Sequence, residues 1–296
     1  MIIQEAFDNF ILSRRLQGSK EKTITCYCQT LTPYVNFVGK ENDINTINRN
    51  DNNKYISDFY MRNLSPATIS SYIRQLKVFL RWLEDEYNLD IYAKKIKVPK
   101  TRKKVVHIYT DEEIIAIFKS ISMECKWLTL RNKCMIALML DSGLRQNEVC
   151  TLMRKNISWN EGILKVCGKG DKERIVPFGN LSRHFMQEYA SLCPYESERF
   201  FVSNHGEYVT CDALKHMINK LDKKLPFSIS SHKLRHNFAT NYCLDQYDKY
   251  GQVDLYRLML LMGHEDVETT RLYLHHANQI IATKTNLSHL DMVMGL

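Results

Sequence analysis

The sequence of 296 residues lacks any run of eighteen consecutive apolar residues, the length that a membrane-spanning helix needs. We therefore expect no membrane span. The N-terminal segment also lacks the pattern of a secretory signal, because Glu5 and Asp8 stand before its apolar stretch and no small-residue cleavage site follows. These two absences favour a protein that works inside the cell.

The nine cysteines lack a repeating spacing. Cys26 and Cys28 are separated by one residue, which fits neither a zinc knuckle nor a redox pair with two intervening residues. In a reducing compartment such cysteines remain free thiols, most of them as small buried side chains. We therefore assign them no metal and no redox chemistry. Internal repeats and long low-complexity segments are also absent, and the Asn-rich stretch 42–53 is predicted to be a loop.

The net charge is +8, from 41 Lys and Arg against 33 Asp and Glu, and its distribution matters more than its total. The stretch 94–104 contains seven basic residues and no acidic one. They are Lys94, Lys95, Lys97, Lys100, Arg102, Lys103 and Lys104. Such a stretch favours binding to a polyanion, because each neutralised phosphate releases condensed counterions. The alternative is a solvated linker extended by its own repulsion, and the charge alone leaves both interpretations open.

The basic stretch also contains Pro99 and separates two regions with different patterns, so we predict that it links two domains. A chain of this length can form two hydrophobic cores. The predicted boundaries are 1–93 for the first domain, 94–108 for the linker, 109–285 for the second domain and 286–296 for a C-terminal tail.

The first domain has the apolar periodicity of helices throughout. Its clearest helix begins at Ser65 and Pro66, an N-cap followed by proline at the first helical position. Apolar residues then recur at helical spacing from Ile69 to Leu83 and form one face. Basic residues on the other faces of this helix give the domain a basic surface; they are Arg74, Lys77 and Arg81.

The second domain mixes helical and strand patterns. Thr110 and Glu113 form a capping-box pattern that begins a helix, and a second helical pattern ends near Gly143. The strand pattern predicts two short strands at 163–166 and 174–178 around a hairpin, a candidate third strand at 200–203, and helices from 210 onward, including 255–262 before Gly263. The fold class predicted is therefore mainly α with a small antiparallel β-sheet, in two domains.

Four separated stretches of the second domain carry chemically distinctive residues. They are Ser142 to Glu148 (SGLRQNE), Gly168 to Pro177 (GKGDKERIVP), His232 to His236 (HKLRH), and Leu261 to His264 (LMGH) followed nine residues later by Tyr273. In this order the stretches resemble the tyrosine recombinase family, also called phage-type integrases, over residues 110–280. The helical first domain resembles that family more loosely. The resemblance implies a helical core DNA-binding domain followed by a mixed α+β catalytic domain.

The resemblance implies that Arg145 and Arg235 clamp the phosphodiester that is cut. Negative charge gathers on the non-bridging oxygens during in-line attack, and fixed cations can stabilise that charge in place of a metal ion. Arginine suits this role because its planar group holds two oxygens and keeps its charge. A surface salt bridge is the alternative for either arginine.

The resemblance also makes Tyr273 the nucleophile, through its offset from the Gly-His pair at 263–264 and the Thr-Thr-Arg at 269–271. A tyrosine with a pKa near 10 is mostly protonated at neutral pH, so it needs cationic neighbours and a proton acceptor. The chain has sixteen tyrosines, and most must be packing or surface residues. Tyr242 and Tyr256 lack the motif and are predicted to be packing residues.

The resemblance gives roles to one lysine and two histidines. Lys169, between two glycines at the predicted hairpin tip, is the implied general acid for the leaving 5′ oxygen, with Lys172 as its rival and a solvated turn lysine as the alternative. His232 is the implied general acid or base, because imidazole titrates near neutrality. His264 is the implied hydrogen-bond donor to the scissile phosphate. Neither histidine has a carboxylate or cysteine at ligand spacing, so we expect no metal.

Glu148 follows Arg145 by one helical turn. We expect it to hold Arg145 or His232 in place, with a plain helix-surface glutamate as the alternative. The neighbouring histidines receive no role; they are His236, His275 and His276.

Taken together, the resemblance implies a site-specific recombinase that cuts and rejoins duplex DNA through a 3′-phosphotyrosyl bond on Tyr273, with no cofactor. It implies a monomer that forms a homotetramer on DNA in the cytoplasm of a bacterial or phage-infected cell, at the nucleoid. The basic linker, with Arg74 and Lys77, is expected to contact the DNA. The rivals are a type IB topoisomerase, which uses similar residues, and a non-catalytic DNA-binding regulator, which is disfavoured because every chemical position is filled.

Two departures from the family pattern bear on this interpretation. The polar residues 247–252 are interpreted as a lengthened loop. We expect no additional arm-binding N-terminal domain, which favours an Xer-like or transposon-borne member. In the tail, an apolar helix face is expected to pack either on an adjacent protomer or on its own domain; its residues are Leu287, Leu290, Val293 and Met294.

Overall fold

The computed structural model describes residues 1–101, 106–168, 172–284 and 293, and divides into two compact units, Met1–Lys104 and Val105–Leu296. The division lies inside the predicted linker. Among the described residues, no helix is both long and apolar enough to cross a membrane. Several predicted functional residues lie outside the described residues: Arg102, Lys103, Lys104, Lys169, Leu287, Leu290 and Met294. The interpretations attached to them stay predictions.

The first unit is a bundle of four helices. They are α1 (Ile3–Leu16), α2 (Glu21–Val38), α3 (Arg49–Met61) and α4 (Pro66–Tyr87). The predicted start of α4 is confirmed, because the Ser65 hydroxyl accepts a hydrogen bond from the backbone N–H of Thr68. The aromatic side chains of Phe10 and Phe79 are fully buried and meet edge to face at 5.1 Å. They form the centre of a core to which all four helices contribute.

The loop predicted at 42–53 is wrong in its second half. The chain turns through a short 3-10 helix at Ile44–Thr46, but α3 already begins at Arg49. The Asn48 side chain accepts hydrogen bonds from the N–H groups of Asn50 and Asp51, so asparagine caps the helix here and does not prevent it.

The first residues of the predicted linker pack on the first unit. Ala93–Lys95 forms a 3-10 turn, and Ile96 and Val98 lie against the core of this unit. The Lys77 ammonium donates hydrogen bonds to the carbonyls of Lys94 (3.2 Å) and Ile96 (2.6 Å). Lys77 therefore has a structural contact that its predicted role in DNA binding did not include. The other basic residues of this region are exposed: Arg74, Lys94, Lys95, Lys97 and Lys100.

The second unit surrounds the buried helix α6 with helices and one small sheet. Its helices are α5 (Asp111–Ser120), α6 (Lys126–Asp141), α7 (Gln146–Cys150), α8 (Asn180–Leu192), α9 (Cys211–Asp222), α10 (Ser231–Tyr250), α11 (Leu255–Met262) and α12 (Val267–Lys284). Its strands are β1 (Ile157–Ser158), β2 (Ile163–Cys167) and β3 (Glu173–Pro177). The predicted fold class, the capping box at Thr110 and the helix before Gly263 are confirmed.

The sheet is antiparallel in the order β1-β2-β3, with Leu164 paired to Val176. The third strand expected at 200–203 is wrong, because β1 occupies that place and Val202 makes only an isolated bridge to Tyr208. Phe200 and Phe201 are consecutive and both buried. A strand with one solvent face would have buried only every second residue.

The loop interpreted at 247–252 is also wrong, because α10 continues to Tyr250 and ends at Gly251 in the left-handed conformation (φ 68°). The polar residues there lie on an exposed turn of the helix, so their polarity reflects contact with solvent and not an interruption of the helix. Tyr242 packs against a core cluster as predicted, whereas Tyr256 is 65% exposed and is no packing residue.

A second core cluster joins α10, α11 and α12. Small residues on the facing sides of α10 and α12, Ala239 and Ala277, are fully buried and let the two helices approach closely. Leu258 and Met262 of α11 complete the cluster. This packing brings the C-terminal end of α11 and the first half of α12 to the part of α10 that carries the histidines.

Candidate active site

Arg145 and Glu148 are joined at the start of α7. Arg145 is the N-cap residue of α7. The Glu148 carboxylate accepts hydrogen bonds from the backbone N–H of Arg145 (2.7 Å) and from Arg145 Nη1 (3.0 Å). The Glu148 side chain is 1% exposed. The expectation that Glu148 holds Arg145 agrees with this geometry, and the alternative of a surface glutamate does not. Within the part of the chain that the structure describes, the partners of the Glu148 carboxylate are arginines, and His232, the other partner considered, is not among them.

Two further guanidinium groups converge on the same carboxylate. Arg174 of β3 donates to both Glu148 oxygens, with Nη2 at 2.8 Å from Oε2. Arg235 of α10 lies with Nη1 at 3.9 Å from Oε2 and is buried. Arg174 received no role from the sequence, since an arginine in a short strand resembles any surface residue. The structure makes it part of the cluster.

The same three arginines donate to three successive backbone carbonyls at the C-terminal end of α11. The pairs are Arg174 with Leu261 (2.8 Å), Arg235 with Met262, and Arg145 with Gly263 (2.8 Å). The last carbonyls of a helix have no partners within it and carry the negative end of its dipole, so they bind cations. Arg235 also donates to the carbonyl of Gly143. Each guanidinium is thereby fixed in orientation before any ligand arrives.

Two glycines make this arrangement possible. Gly263 ends α11 with φ of 58°, and a Cβ there would lie 3.0 Å from the Arg174 side chain. Gly143 has φ of 61°, and a Cβ there would overlap the ring of Phe238. A side chain at position 143 or 263 would therefore be disfavoured both by the backbone conformation and by the neighbouring atoms, which explains the glycines of the SGLR and LMGH stretches.

Three guanidinium groups and one carboxylate leave the cluster with an excess of positive charge. Burial alone would raise the pKa of Glu148, but hydrogen bonds and charge from Arg174, followed by Arg145, hold that pKa below its usual value. Burial, and then the charge of Arg145, lowers the pKa of Arg235 to about 9. The carboxylate is ionised at neutral pH, and the remaining positive charge is available to an anion.

Tyr273 lies against this cluster. It is on α12, 4% exposed, and packs with the second core cluster. Burial raises the pKa of its hydroxyl, while the positive charges of Arg235 and Arg145 oppose that rise. The tyrosine is thus buried in packing and also lies in the field of both predicted clamp arginines of its own chain.

His264 directly follows the α11 carbonyls and stacks on Tyr273, with ring centroids 6.1 Å apart and planes 17° from parallel. Its Nδ1 lies 2.9 Å from the hydroxyl of Thr270, a fully buried residue on α12. Burial, with the charges of Arg235 and Arg145, lowers the pKa of His264 to about 4. The imidazole is neutral at physiological pH.

His232 reaches the site through His236. The two Nε2 atoms are 2.7 Å apart, and the His236 ring lies 5.0 Å from that of Tyr273. Burial of part of its ring, and then the charge of Arg235, lowers the pKa of His232. His236 was assigned no role from the sequence, and the structure places it in contact with two predicted catalytic residues, His232 and Tyr273. His275 is exposed, and His276 lies buried on α12.

A pocket of about 680 Å³ opens beside the cluster. Arg145, Arg174 and His264 line it, together with Gly168 and Lys172 from the two ends of the β2–β3 hairpin. Lys169 lies between those two residues in the chain, outside the described part. A larger pocket of about 850 Å³, lined by residues 153–155 and 193–198, contains none of the predicted site residues. Within the described residues, no group of three or more His, Cys, Asp or Glu side chains is arranged to hold a metal ion.

Comparison with known proteins places this geometry in a family. The model of the Phage integrase family matches residues 89–279, and the model of its N-terminal SAM-like domain matches residues 7–88. The tyrosine recombinase XerC of Staphylococcus aureus strain MRSA252 is 30% identical over 285 residues, which covers 94% of this chain and 93% of that protein.

Solved structures show the same fold. The Tn1549 transposon integrase in complex with transposon right end DNA has a TM-score of 0.74 at 15% identity, covering 97% of this chain and 100% of that one. The lambda integrase tetramer bound to a Holliday junction has a TM-score of 0.72 at 16% identity, covering 90% of this chain and 78% of that one.

Replacing Glu148 by Gln is expected to destabilise the second unit by about 3–5 kcal/mol, because the buried guanidinium groups lose their only close carboxylate among the described residues. Urea unfolding measures the loss. The matched control is Glu268→Gln, which breaks a glutamate–arginine pair of like sequence spacing (Glu268–Arg271) that is exposed to solvent. Equal losses for the two variants would show that the buried cluster has no special energetic role.

Stability of the second unit is expected to fall as the pH decreases from 6.5 towards 4. The pKa values of His264 and His236 are lowered to about 4, while the unfolded chain has histidine pKa values of about 6.5. Within this window the unfolded state binds protons that the folded state does not, so the stability is complete above pH 6.5 and is lost below it.

Urea midpoints between pH 7.5 and 5 measure this dependence. His264→Gln should flatten the slope, whereas His205→Gln, which changes an exposed histidine, should leave it unchanged. An unchanged slope in His264→Gln would contradict the burial of a neutral imidazole at this position.

Proposed function

The chain belongs to the phage integrase family of tyrosine recombinases, and from this premise we propose that it is a site-specific recombinase whose nucleophile is Tyr273. The observation that carries the proposal is the placement of one tyrosine in the field of two fixed guanidinium groups, Arg235 and Arg145, and against the rings of two neutral histidines of the same chain. A site of fixed cationic side chains suits a phosphodiester, whose non-bridging oxygens gain negative charge during attack.

In the proposed reaction, the Tyr273 oxygen attacks the scissile phosphorus and the bond from phosphorus to the 5′ oxygen breaks. The products are a 3′-phosphotyrosine and a free 5′ hydroxyl. The 5′ hydroxyl of a partner strand then attacks the phosphotyrosine and releases Tyr273. One phosphoester replaces another in each step, so the exchange is nearly neutral in energy and needs no nucleotide.

The arginines are proposed to hold the non-bridging oxygens. A guanidinium has five N–H donors, and the contacts with Glu148, Gly143 and the α11 carbonyls use only some of them. The remaining donors of Arg145 and Arg235 are oriented by those contacts, so little reorganisation accompanies binding.

The other groups handle protons. His264 is proposed to donate a hydrogen bond to the phosphate, and His232 to act as general acid or base. Lys169 is proposed to protonate the leaving 5′ oxygen, with Lys172, which lines the pocket, as its rival. Burial keeps Tyr273 protonated in the free protein, so during attack its proton passes to an acceptor, either a water molecule or a non-bridging oxygen of the phosphate under attack.

The substrate proposed is duplex DNA, bound by both units and by the basic residues of the linker, of which Lys94, Lys95, Lys97 and Lys100 are exposed. The active form on DNA is a homotetramer, supported by the fold shared with the lambda integrase tetramer on a Holliday junction. The recombinase XerC, matched over 94% of this chain, favours recombination over topoisomerase activity and favours action at the nucleoid in bacterial cytoplasm. The C-terminal tail remains proposed as a contact with a neighbouring protomer.

A pool of nicked suicide duplexes with a randomised core tests the nucleophile. The nick lets the 5′ fragment diffuse away, so a cut strand stays bound to the protein. We expect a covalent adduct with the wild type, in EDTA as well as in magnesium, and none with Tyr273→Phe. Denaturing gels measure the adduct, and sequencing of the bound strand locates the cut.

Tyr256→Phe is the matched control, since it removes the hydroxyl of an exposed tyrosine on α11 and should leave the adduct yield unchanged. An adduct that persists in Tyr273→Phe, or a wild type that forms none with any duplex of the pool, would contradict the proposal.

A further inference from the structure

His236 lies between His232 and Tyr273. It follows His232 by one turn of α10, and it is only 6% exposed. The two imidazole rings are perpendicular, at 84°, with centroids 4.2 Å apart, which points one Nε2 at the other. On its other side, the His236 ring tilts against Tyr273 at 5.0 Å. One buried ring therefore contacts two of the groups to which the proposed reaction assigns proton chemistry.

The bond between the two Nε2 atoms, 2.7 Å long, couples the proton positions of the rings. Two neutral imidazoles share one hydrogen bond only if one Nε2 is protonated and the other is not. Either His232 donates, and His236 then carries its own proton on Nδ1, or His236 donates, and His232 carries its proton on Nδ1.

The surroundings of His236 Nδ1 decide between these states. This atom is buried and has no hydrogen-bond partner among the described residues. A proton on Nδ1 would leave a buried N–H unpaired, which is rare in folded proteins, whereas an unpaired acceptor is tolerated more often. The state in which His236 is the donor is therefore favoured.

We propose that His236 is a positioning residue for His232, donating its Nε2–H to His232 Nε2 and thereby holding His232 in the Nδ1–H tautomer. In this state His232 Nε2 is occupied by His236, and His232 Nδ1, the nitrogen left for a contact with DNA, carries a proton. It can therefore donate a hydrogen bond but cannot act as a base. The inference rests on the proposed function. There His232 was assigned as either a general acid or a general base, and the inference limits it to donating a hydrogen bond to the phosphate.

The charged and titratable groups around His236 act in the same direction. They are His232 and Arg235 on α10, His264 after α11, and Tyr273 and His276 on α12. None of these groups carries a negative charge at neutral pH while Tyr273 is protonated, so none stabilises an imidazolium at His236. Burial and these neighbours lower the pKa of His236 to about 4, which keeps the ring a neutral donor.

The first test measures the tautomer directly, in the full chain without DNA. Nitrogen chemical shifts of ¹⁵N-histidine distinguish a protonated from an unprotonated ring nitrogen. We expect His232 as Nδ1–H in the wild type and as Nε2–H, the form favoured by a free side chain, in His236→Phe. A wild-type His232 already in the Nε2–H form would overturn the inference without touching the assignment of Tyr273.

The second test measures cleavage with a duplex recovered from the suicide pool. His236→Phe keeps a ring against Tyr273 but has no donor, whereas His236→Gln keeps an N–H near the position of Nε2 but has no ring. We expect about a tenfold slower cleavage for His236→Phe, the equivalent of one lost hydrogen bond, and a rate within about twofold of wild type for His236→Gln. The reverse order would show that the ring packs and does not position.

A double-mutant cycle with His232→Ala separates the two levels of the proposal. If His236 acts through His232, then His236→Phe should not slow the His232→Ala variant further. Additive losses would overturn the positioning role and leave the recombinase intact. A His232→Ala variant that cleaves at the wild-type rate would instead remove the role proposed for His232 itself. Thermal unfolding of each variant shows whether a rate loss comes from a damaged fold.

Discussion

Three arginine side chains rest on one helix end, and the geometry of the site depends on that contact. The last carbonyls of α11 accept hydrogen bonds from Arg174, Arg235 and Arg145 in turn, and Glu148 closes the cluster from the opposite side. Like charges gathered this closely would repel each other in the absence of a counter-charge. The carboxylate and the helix dipole supply it, so the cations stay fixed in position and in excess.

That arrangement links sequence stretches that lie far apart in the chain. Arg145 begins α7, Arg174 comes from β3, Arg235 comes from α10, and all three meet the residues just before His264. The glycine at 263 ends the helix in the left-handed conformation and leaves room for the Arg174 side chain. The close packing of α12 on α10 through Ala239 and Ala277 then sets Tyr273 beside the cluster. A shift of α11 would therefore move the three arginines and Tyr273 together.

The sequence predicted many residues of this site, but not the residues that hold them in place. Arg145, His232, Arg235, His264 and Tyr273 stand in motifs, and the capping box and the hairpin strands follow from local residue patterns. Arg174 and His236 could not be assigned, because a strand arginine and a second histidine in a short motif have no sequence feature that separates them from surface or core residues. Their roles come from long-range contacts with Glu148, His232 and Tyr273.

The errors in the predicted fold also arose because local sequence does not show long-range contacts. The polar turn of α10 near Tyr250 and the second half of the Asn-rich stretch 42–53 were interpreted as loops from composition, yet α10 continues to Tyr250 and α3 begins at Arg49. The buried pair Phe200 and Phe201 had the composition of a strand, but the core surrounds both side chains and leaves no alternating face. Local composition reports solvent contact well, and it reports backbone conformation only where a cap or a period accompanies it.

Burial keeps the titratable groups of the free site uncharged, and a bound DNA phosphate would change their protonation. The pKa of Tyr273 is raised and those of His232, His236 and His264 are lowered, so the tyrosine and the three histidines are all neutral before substrate arrives. A phosphate held by the arginines would bring negative charge next to the imidazoles and raise their pKa values, which favours the protonated rings. In the proposed mechanism, the histidines would then gain positive charge beside the phosphate only when a phosphodiester is bound.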